Sequence, residues 1–247
     1  MKIRLAITDE RIPENMRRRL SLCSFHVLTL PPFSVLSEAV SSHTDMLLTR
    51  LGDELISTAD YCEQAPWVFT DLTSLMSGKK TVLTSDTLGK DYPDDCRLNV
   101  LRIGSYLFAK CDTVSPYILK KAAELGLKTV DVRQGYPACT VLKLGESAAI
   151  TADKGMARAL RECGIEVTEI ECGDISLPPY DYGFIGGTAG AYDGKIYFLG
   201  DPKTHRSYSL IKSACDKARL DIVSLGDGRL IDLGGILFVE GDIKQNG

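Results

Sequence analysis

Short apolar, β-branched runs alternate along this chain with longer amphipathic stretches, and the alternation repeats. One unit recurs: a strand, a tight turn, a second strand, a helix and a third strand. "NVLRIG" and "YLFAK" precede "SPYILKKAAELG" and "KTVDV", while "CTVLKLG" and "SAAIT" precede "DKGMARALRECG" and "EVTEI". These helices stop at Gly126 and Gly164, the residue type that takes the left-handed conformation of a helix end. Another copy runs from "YGFIGGTAG" through "AYDGKIYFLGD" into "SYSLIKSACDKA" and "DIVSL". Its Asp193-Gly194 pair is a hairpin signal. A looser copy nearer the start reads "DMLLT", "ELIST", a helical stretch around "WVFTDLTSLM", and "KTVLTS". It leaves through the turn-rich "DTLGKDYPDDCR".

The C-terminal end supplies only the first strand of a further copy, "GGILFVEG". The remainder stands at the N-terminal end as "KIRLAI", a helix in "PENMRRRLSL", and "FHVLTL". A unit divided between the two ends predicts a closed ring with a period of roughly 40–50 residues and no open sheet edge. An open α/β sheet is the alternative arrangement of the same elements. The expected organisation is a single domain, residues 1–247.

Composition narrows the function classes. The 247 residues are 44% hydrophobic and 25% charged, ordinary globular usage. A net charge of -4 argues against a nucleic-acid partner. The basic run "MRRRL" (Met16 to Leu20) reads as a solvated helix face. No stretch approaches the roughly 20 apolar residues of a membrane helix, and "MKIRLAITDE" reads as a strand and not a signal peptide. The eight cysteines are scattered without a Cys-x-x-Cys pair, which predicts reduced thiols, a cytoplasmic setting and no structural zinc. The glycines around 183–190 fit no phosphate-loop register.

In this organisation the chain resembles the pentein, or guanidino-group modifying enzyme, fold. More narrowly it resembles an uncharacterised bacterial family of that fold. The resemblance rests on "HTDM" (His43 to Met46), "RLNV" (Arg97 to Val100), "RQGYPACTV" and "YGFIGG" (Tyr182 to Gly187). It continues in "LGDPKTHRSY" and "IDLGG" (Ile231 to Gly235). The resemblance implies a five-bladed α/β propeller with pseudo-fivefold symmetry, its last blade closed by both termini. It implies an axial site where a cysteine thiolate attacks a guanidinium carbon, a histidine moves protons, and carboxylates clamp the cation. No metal or organic cofactor is expected, and the expected partner is a small guanidino or amino-acid-like molecule.

The candidates follow from that chemistry. Cys139 is the nucleophile and His43 the proton shuttle, with Asp45 two residues on, expected to share a strand face. Asp45, Asn99, Gln134, Tyr136, Asp181, Gly186, Gly187 and Asp232 are the expected substrate-binding positions, with Asp45, Asp181 or Asp232 holding the cation. Each has a structural reading beside the functional one. Cys139 is equally a small core hydrophobe, His43 a capping residue, and Asp181 and Asp232 turn organisers. The glycines equally serve close packing. His205 is expected to open the fourth helix with Thr204 as its cap.

One departure matters. Family enzymes carry the nucleophilic cysteine at the first strand of the last blade, where this chain reads "DLGGILFVEGD". Two functions therefore stand side by side: a Cys/His-dependent hydrolase or transferase, and a non-catalytic binding module that keeps the pocket for a metabolite or protein. Ribosome binding, known for one member of the fold, has no support here beyond blade layout.

Overall fold

The computed structural model describes residues 2–76 and 80–242. The chain opens with β1 (Lys2–Asp9), α1 (Glu14–Leu22) and β2 (His26–Leu30). A helical turn, α2 (Thr44–Leu47), leads into β3 (Thr49–Leu51) and β4 (Glu54–Thr58). Then α3 (Ala59–Gln64) and α4 (Pro66–Leu75) carry the chain to β5 (Lys80–Thr84). The next unit is β6 (Leu101–Ile103), β7 (Tyr106–Ala109), α5 (Pro116–Glu124) and β8 (Lys128–Asp131). Another helical turn, α6 (Pro137–Thr140), precedes β9 (Val141–Lys143), β10 (Ala148–Thr151), α7 (Lys154–Glu162) and β11 (Glu166–Glu169). After the short β12 (Ile175–Ser176) come β13 (Ala189–Tyr192), β14 (Lys195–Phe198), α8 (Tyr208–Lys217) and β15 (Asp221–Ser224). The short β16 (Leu230–Ile231) and then β17 (Leu237–Asp242) complete the described elements.

Five sheets among the described residues are three-stranded and share one plan. A first strand pairs antiparallel with a second, and the second pairs parallel with a third. The antiparallel pair needs only a tight turn, such as Asp193-Gly194 with both residues at positive φ. The parallel pair needs a crossover, and a helix supplies it each time. One sheet takes its first strand from the C-terminal end, since β17 pairs with β1 and β1 with β2. The remaining sheet is the two-stranded parallel pair of β12 and β16, which has no counterpart in the repeating pattern.

The crossover helices show why the sequence builds the unit. Asp153 caps α7 by accepting from the Met156 N–H (2.8 Å), and Met156, Ala157 and Leu160 make the buried stripe. Four of these helices stop in the same way. The residue after the cap is left-handed (Ser24, Gly126, Gly164, Arg219), and the next N–H bonds back to the last turn, as Ile165 does to Leu160 (3.1 Å). Only two of the four are glycine, so the stop is readable in sequence at Gly126 and Gly164 and hidden at Ser24 and Arg219. The apolar cores lie between successive sheets. One joins Ile103 and Phe108 to Val141, Ala149 and Leu160, and the next joins Leu142 and Ile150 to Ile196, Phe198 and Ile211.

Candidate active site

The residues that matter stand just ahead of the first strand of their units. His43 is the N-cap of α2 and Asp45 lies within it, Asn99 precedes β6, Cys139 lies in α6, and Asp232 follows β16. The expectation that His43 and Asp45 open a strand and share a face is corrected here. His43 is the N-cap of a helical turn and Asp45 lies within that turn, so the two do not alternate as strand neighbours do. His43 accordingly lines a cavity of about 420 Å³ together with Cys139 and Asp232, while Asp45 lines a separate cavity of about 530 Å³. Cys139 likewise lies on a helical turn and not at a strand opening. Pro137 starts that turn, and the Thr140 N–H closes it on the Tyr136 carbonyl (3.0 Å). Three residues apart on it, Tyr136 and Cys139 share one face and line the same cavity.

The Cys139 thiol donates to Asp45 Oδ2 at 2.7 Å across the wall between the two cavities. Asn99 Nδ2 donates to Cys139 Sγ (3.3 Å) and to the Asp45 carbonyl (3.4 Å). Asn99 Oδ1 accepts from the Ala138 N–H (2.8 Å), so this one side chain ties α2 to α6. A His43 ring nitrogen, an Asp45 carboxylate oxygen and Cys139 Sγ all lie within 4.8 Å of one another, a gap that one water spans. His, Cys and carboxylate are also donors a zinc-like ion accepts, and this trio is the one such cluster found among the described residues. Both His43 nitrogens lack a hydrogen-bond partner although the residue is only 1% exposed. The nearest acid on its far side is Asp232, with Oδ1 3.9 Å from Nδ1.

Asp232 is held by backbone. Oδ2 accepts from the Phe184 N–H (2.8 Å) and Oδ1 from the Gly234 N–H (3.1 Å). The glycines of "YGFIGG" make room for it: a Cβ on Gly187 would stand 1.7 Å from Asp232 Oδ1, and one on Gly183 would stand 2.5 Å from Asp232 Cβ. Gly186 serves α6 in the same way, its missing Cβ falling 2.2 Å from the Ala138 carbonyl oxygen. The structure thus gives Gly186 and Gly187 close-packing partners, and neither lines the cavity that holds Cys139. Gln134 does not line it either. Its Nε2 donates to Asp153 (2.8 Å) and its Oε1 accepts from the Tyr136 N–H (3.1 Å). Asp181 is exposed at the cavity mouth, on the loop that also brings Leu177, Tyr180, Tyr182 and Phe184. His205 is buried elsewhere; its Nδ1 accepts from the Ser207 N–H (3.0 Å). Thr204 does not cap α8, because the helix begins after Ser207 and the Thr204 hydroxyl donates to the Asp201 carbonyl (2.7 Å). Asp95, which lines the cavity and takes a 2.7 Å hydrogen bond from the Tyr136 hydroxyl, lay hidden in a turn-rich loop.

Burial sets the protonation states. It pushes the Cys139 thiol well up, and the neighbouring Asp45 carboxylate adds to the rise. Burial lifts Asp45 to about 6 against the opposing hydrogen bond from Cys139. It lifts Asp232 to about 7, with Asp45 adding. Burial, and then Arg11, hold His43 down at about 3, so its imidazole is neutral. The two raised carboxyls favour the fold fully below the ordinary carboxylate range, and that contribution is lost as pH rises through about 6 and 7. His43 has the opposite sign, its contribution being present above pH 6.5 and lost as pH falls toward 3.

Residues 7–237 match the sequence pattern of a family described as a family of unknown function, DUF6873. The chain belongs to that family. A search of curated protein sequences returns no match. Among solved structures, DDAH from Pseudomonas aeruginosa, complexed with citrulline, superposes with a TM-score of 0.55 at 10% identity, covering 90% of this chain and 91% of the other. An amidinotransferase, SxtG from Microseira wollei, gives 0.53 at 12% identity, over 95% and 83% of the two chains. Agmatine deiminase from C. jejuni gives 0.54 at 9% identity, over 92% and 79%. The DUF6873 chain therefore has the pentein fold, a mixed α/β architecture shared with enzymes that modify guanidino groups. Among the described residues no helix is long and apolar enough to cross a membrane.

Proposed function

We propose that this protein is a cysteine-dependent hydrolase or transferase acting on a small cationic guanidino or amidino compound. One observation carries the reading: the Cys139 thiol meets Asp45 at 2.7 Å, within 4.8 Å of a His43 nitrogen, at a cavity that Asp232 also lines. Asp45, Asp232 and a neutral imidazole surround Cys139, and no lysine or arginine among the described residues lines the cavity. A guanidinium entering it favours ionised Asp45 and Asp232 and draws Cys139 toward the nucleophilic thiolate.

The steps balance with the residues at hand. Cys139 Sγ bonds to the guanidinium carbon while its proton passes to Asp45. That proton leaves on the departing nitrogen as the C–N bond breaks, giving a thiouronium on Cys139 and free ammonia or amine. Water, or an acceptor amine in a transferase, then attacks the same carbon. Neutral His43 takes a proton from the attacker and returns it to sulfur as the C–S bond breaks, and when water is the attacker its second proton passes to the released ammonia or amine as the ureido C=O forms. Asp232 has spare lone pairs beyond its two backbone bonds and clamps the guanidinium.

The larger arrangement we propose is a single domain, a five-bladed ring closed by both ends of the chain. A cycle of contacts supports it. The Asp45 N–H bonds to the Gly234 carbonyl, Asn99 bonds to Asp45 and to Ala138, Gly186 packs on Ala138, and the Gly235 N–H bonds to the Gly187 carbonyl. The stretch that lacks the C-terminal cysteine also packs on the His–Asp turn at Gly234. A Cβ there would meet the His43 Cβ at 2.7 Å and Asp45 Oδ1 at 2.7 Å, so a side chain at 234 and this His–Asp turn exclude one another. In this reading the nucleophile has moved to another blade.

The strongly raised Cys139 thiol favours a second reading, a binding module without turnover. A panel of small guanidino and amidino compounds separates the two. We expect release of ammonia or amine with a ureido product, or an amidinated acceptor. Thermal stabilisation by a compound that yields no product would give the binding module instead.

A further inference from the structure

The cavity that holds Cys139 has further carboxylates in its lining. Asp95 lines it and is 5% exposed, and its Oδ2 takes the Tyr136 hydroxyl hydrogen bond at 2.7 Å. Asp95 Oδ1 has no partner, a buried acceptor awaiting a donor. The exposed carboxylate of Asp181 stands at the same cavity, and Tyr136, Tyr180, Tyr182 and Phe184 give it aromatic walls. Its described lining includes no lysine or arginine, the side chains that pair with a substrate carboxylate.

We propose that Asp95, oriented by Tyr136 and assisted by Asp181, forms a distal subsite for a primary ammonium, so that the preferred substrate is an aminoalkyl-guanidine dication without an α-carboxylate. The inference rests on the proposed function, in which the guanidinium end lies at Cys139 and Asp232. Its physical logic is complementary. An ammonium supplies the hydrogen bond that Asp95 Oδ1 lacks and gains from the aromatic faces around it. A carboxylate at the same end would be desolvated beside Asp95 and Asp181 with no cation to meet it. This narrows the sequence-based expectation of an amino-acid-like ligand to its decarboxylated counterpart.

4-Aminobutylguanidine and L-arginine differ only in the α-carboxylate, and butylguanidine lacks the distal amine. Calorimetric Kd values for all three on Cys139→Ser protein, which binds without turnover, test the subsite. We expect 4-aminobutylguanidine to bind roughly tenfold or more tightly than either comparator. Asp95→Asn should erase its advantage over butylguanidine while leaving butylguanidine affinity unchanged. Tyr136→Phe should reduce the advantage in part, and it serves as the second variant where a thermal melt shows Asp95→Asn unfolded. Arginine binding as well as its decarboxylated analogue, or a preference that survives Asp95→Asn, overturns the subsite. Tight binding of butylguanidine with no gain from the amine overturns the subsite and leaves the proposed function standing. Failure of all three compounds to bind removes both.

Discussion

Replacing Cys139 with serine is expected to lower kcat/KM by about 10³-fold or more while the protein stays folded. A serine hydroxyl is a far weaker nucleophile at the guanidinium carbon, and nothing near it is basic enough to ionise it. The fold is spared for a separate reason. Serine still donates to Asp45 Oδ2, so the buried carboxyl keeps the partner it has at 2.7 Å. Alanine leaves that oxygen bare and costs about 1–3 kcal/mol. Steady-state kinetics with thermal melts on both variants separate chemistry from stability. Turnover in Cys139→Ser within tenfold of the parent protein would remove Cys139 from the mechanism.

The largest structural effect is expected at Gly186. A methyl group there would approach the carbonyl oxygens of Ala138, Cys139 and Val141 at 2.2, 2.6 and 2.6 Å. All three are backbone atoms of α6 and the start of β9, so no side-chain rotation relieves the overlap. Gly186→Ala should cost about 3 kcal/mol or more and displace the turn that carries Cys139. Gly228→Ala is the matched control, because a Cβ there meets nothing within 4 Å, and it should stay within about 0.5 kcal/mol of the parent. Urea denaturation of both variants measures the difference. A neutral Gly186→Ala would mean that the loop and α6 do not hold each other.

The repeating unit was legible because each of its parts carries a local signal. β10 and β14 are short apolar strands behind tight turns, and α7 has a clean buried stripe with a capping aspartate. The split unit was legible for the same reason, since β17 and β1 each read as strands on their own. The two helical turns that carry the site were not. Four residues in α2 or α6 form too little helix to leave a periodic pattern, and "HTDM" and "PACT" read as openings of the strands behind them. That single misreading put His43 and Asp45 on one face, whereas the turn sends them to two cavities. The pairing of β12 with β16 was invisible because each is two residues long and its partner lies far along the chain.

The candidate residues were partly legible as well. Cys139, His43, Asp45, Asn99 and Asp232 stood out by residue type at comparable positions, and the structure brings them together. Asp95 did not stand out. "DYPDDCR" is a turn-rich loop in which an aspartate reads as solvated, and only the fold brings it against the Tyr136 hydroxyl. The glycines of "YGFIGG" pointed to close backbone approach without naming the partner. The partner is Asp232 for Gly183 and Gly187, and the backbone of α6 for Gly186.

Chloroacetamidine carries an electrophilic carbon on a cationic amidine, and chloroacetamide is its neutral near-isostere. The account predicts that the amidine alkylates buried Cys139 in a saturable reaction, while the amide reacts first with Cys172, the exposed cysteine. Peptide mapping by mass spectrometry reads both outcomes in one experiment. Amidine modification confined to Cys172, with Cys139 unmodified, would contradict the claim that Cys139 faces a site built for a guanidinium-like cation.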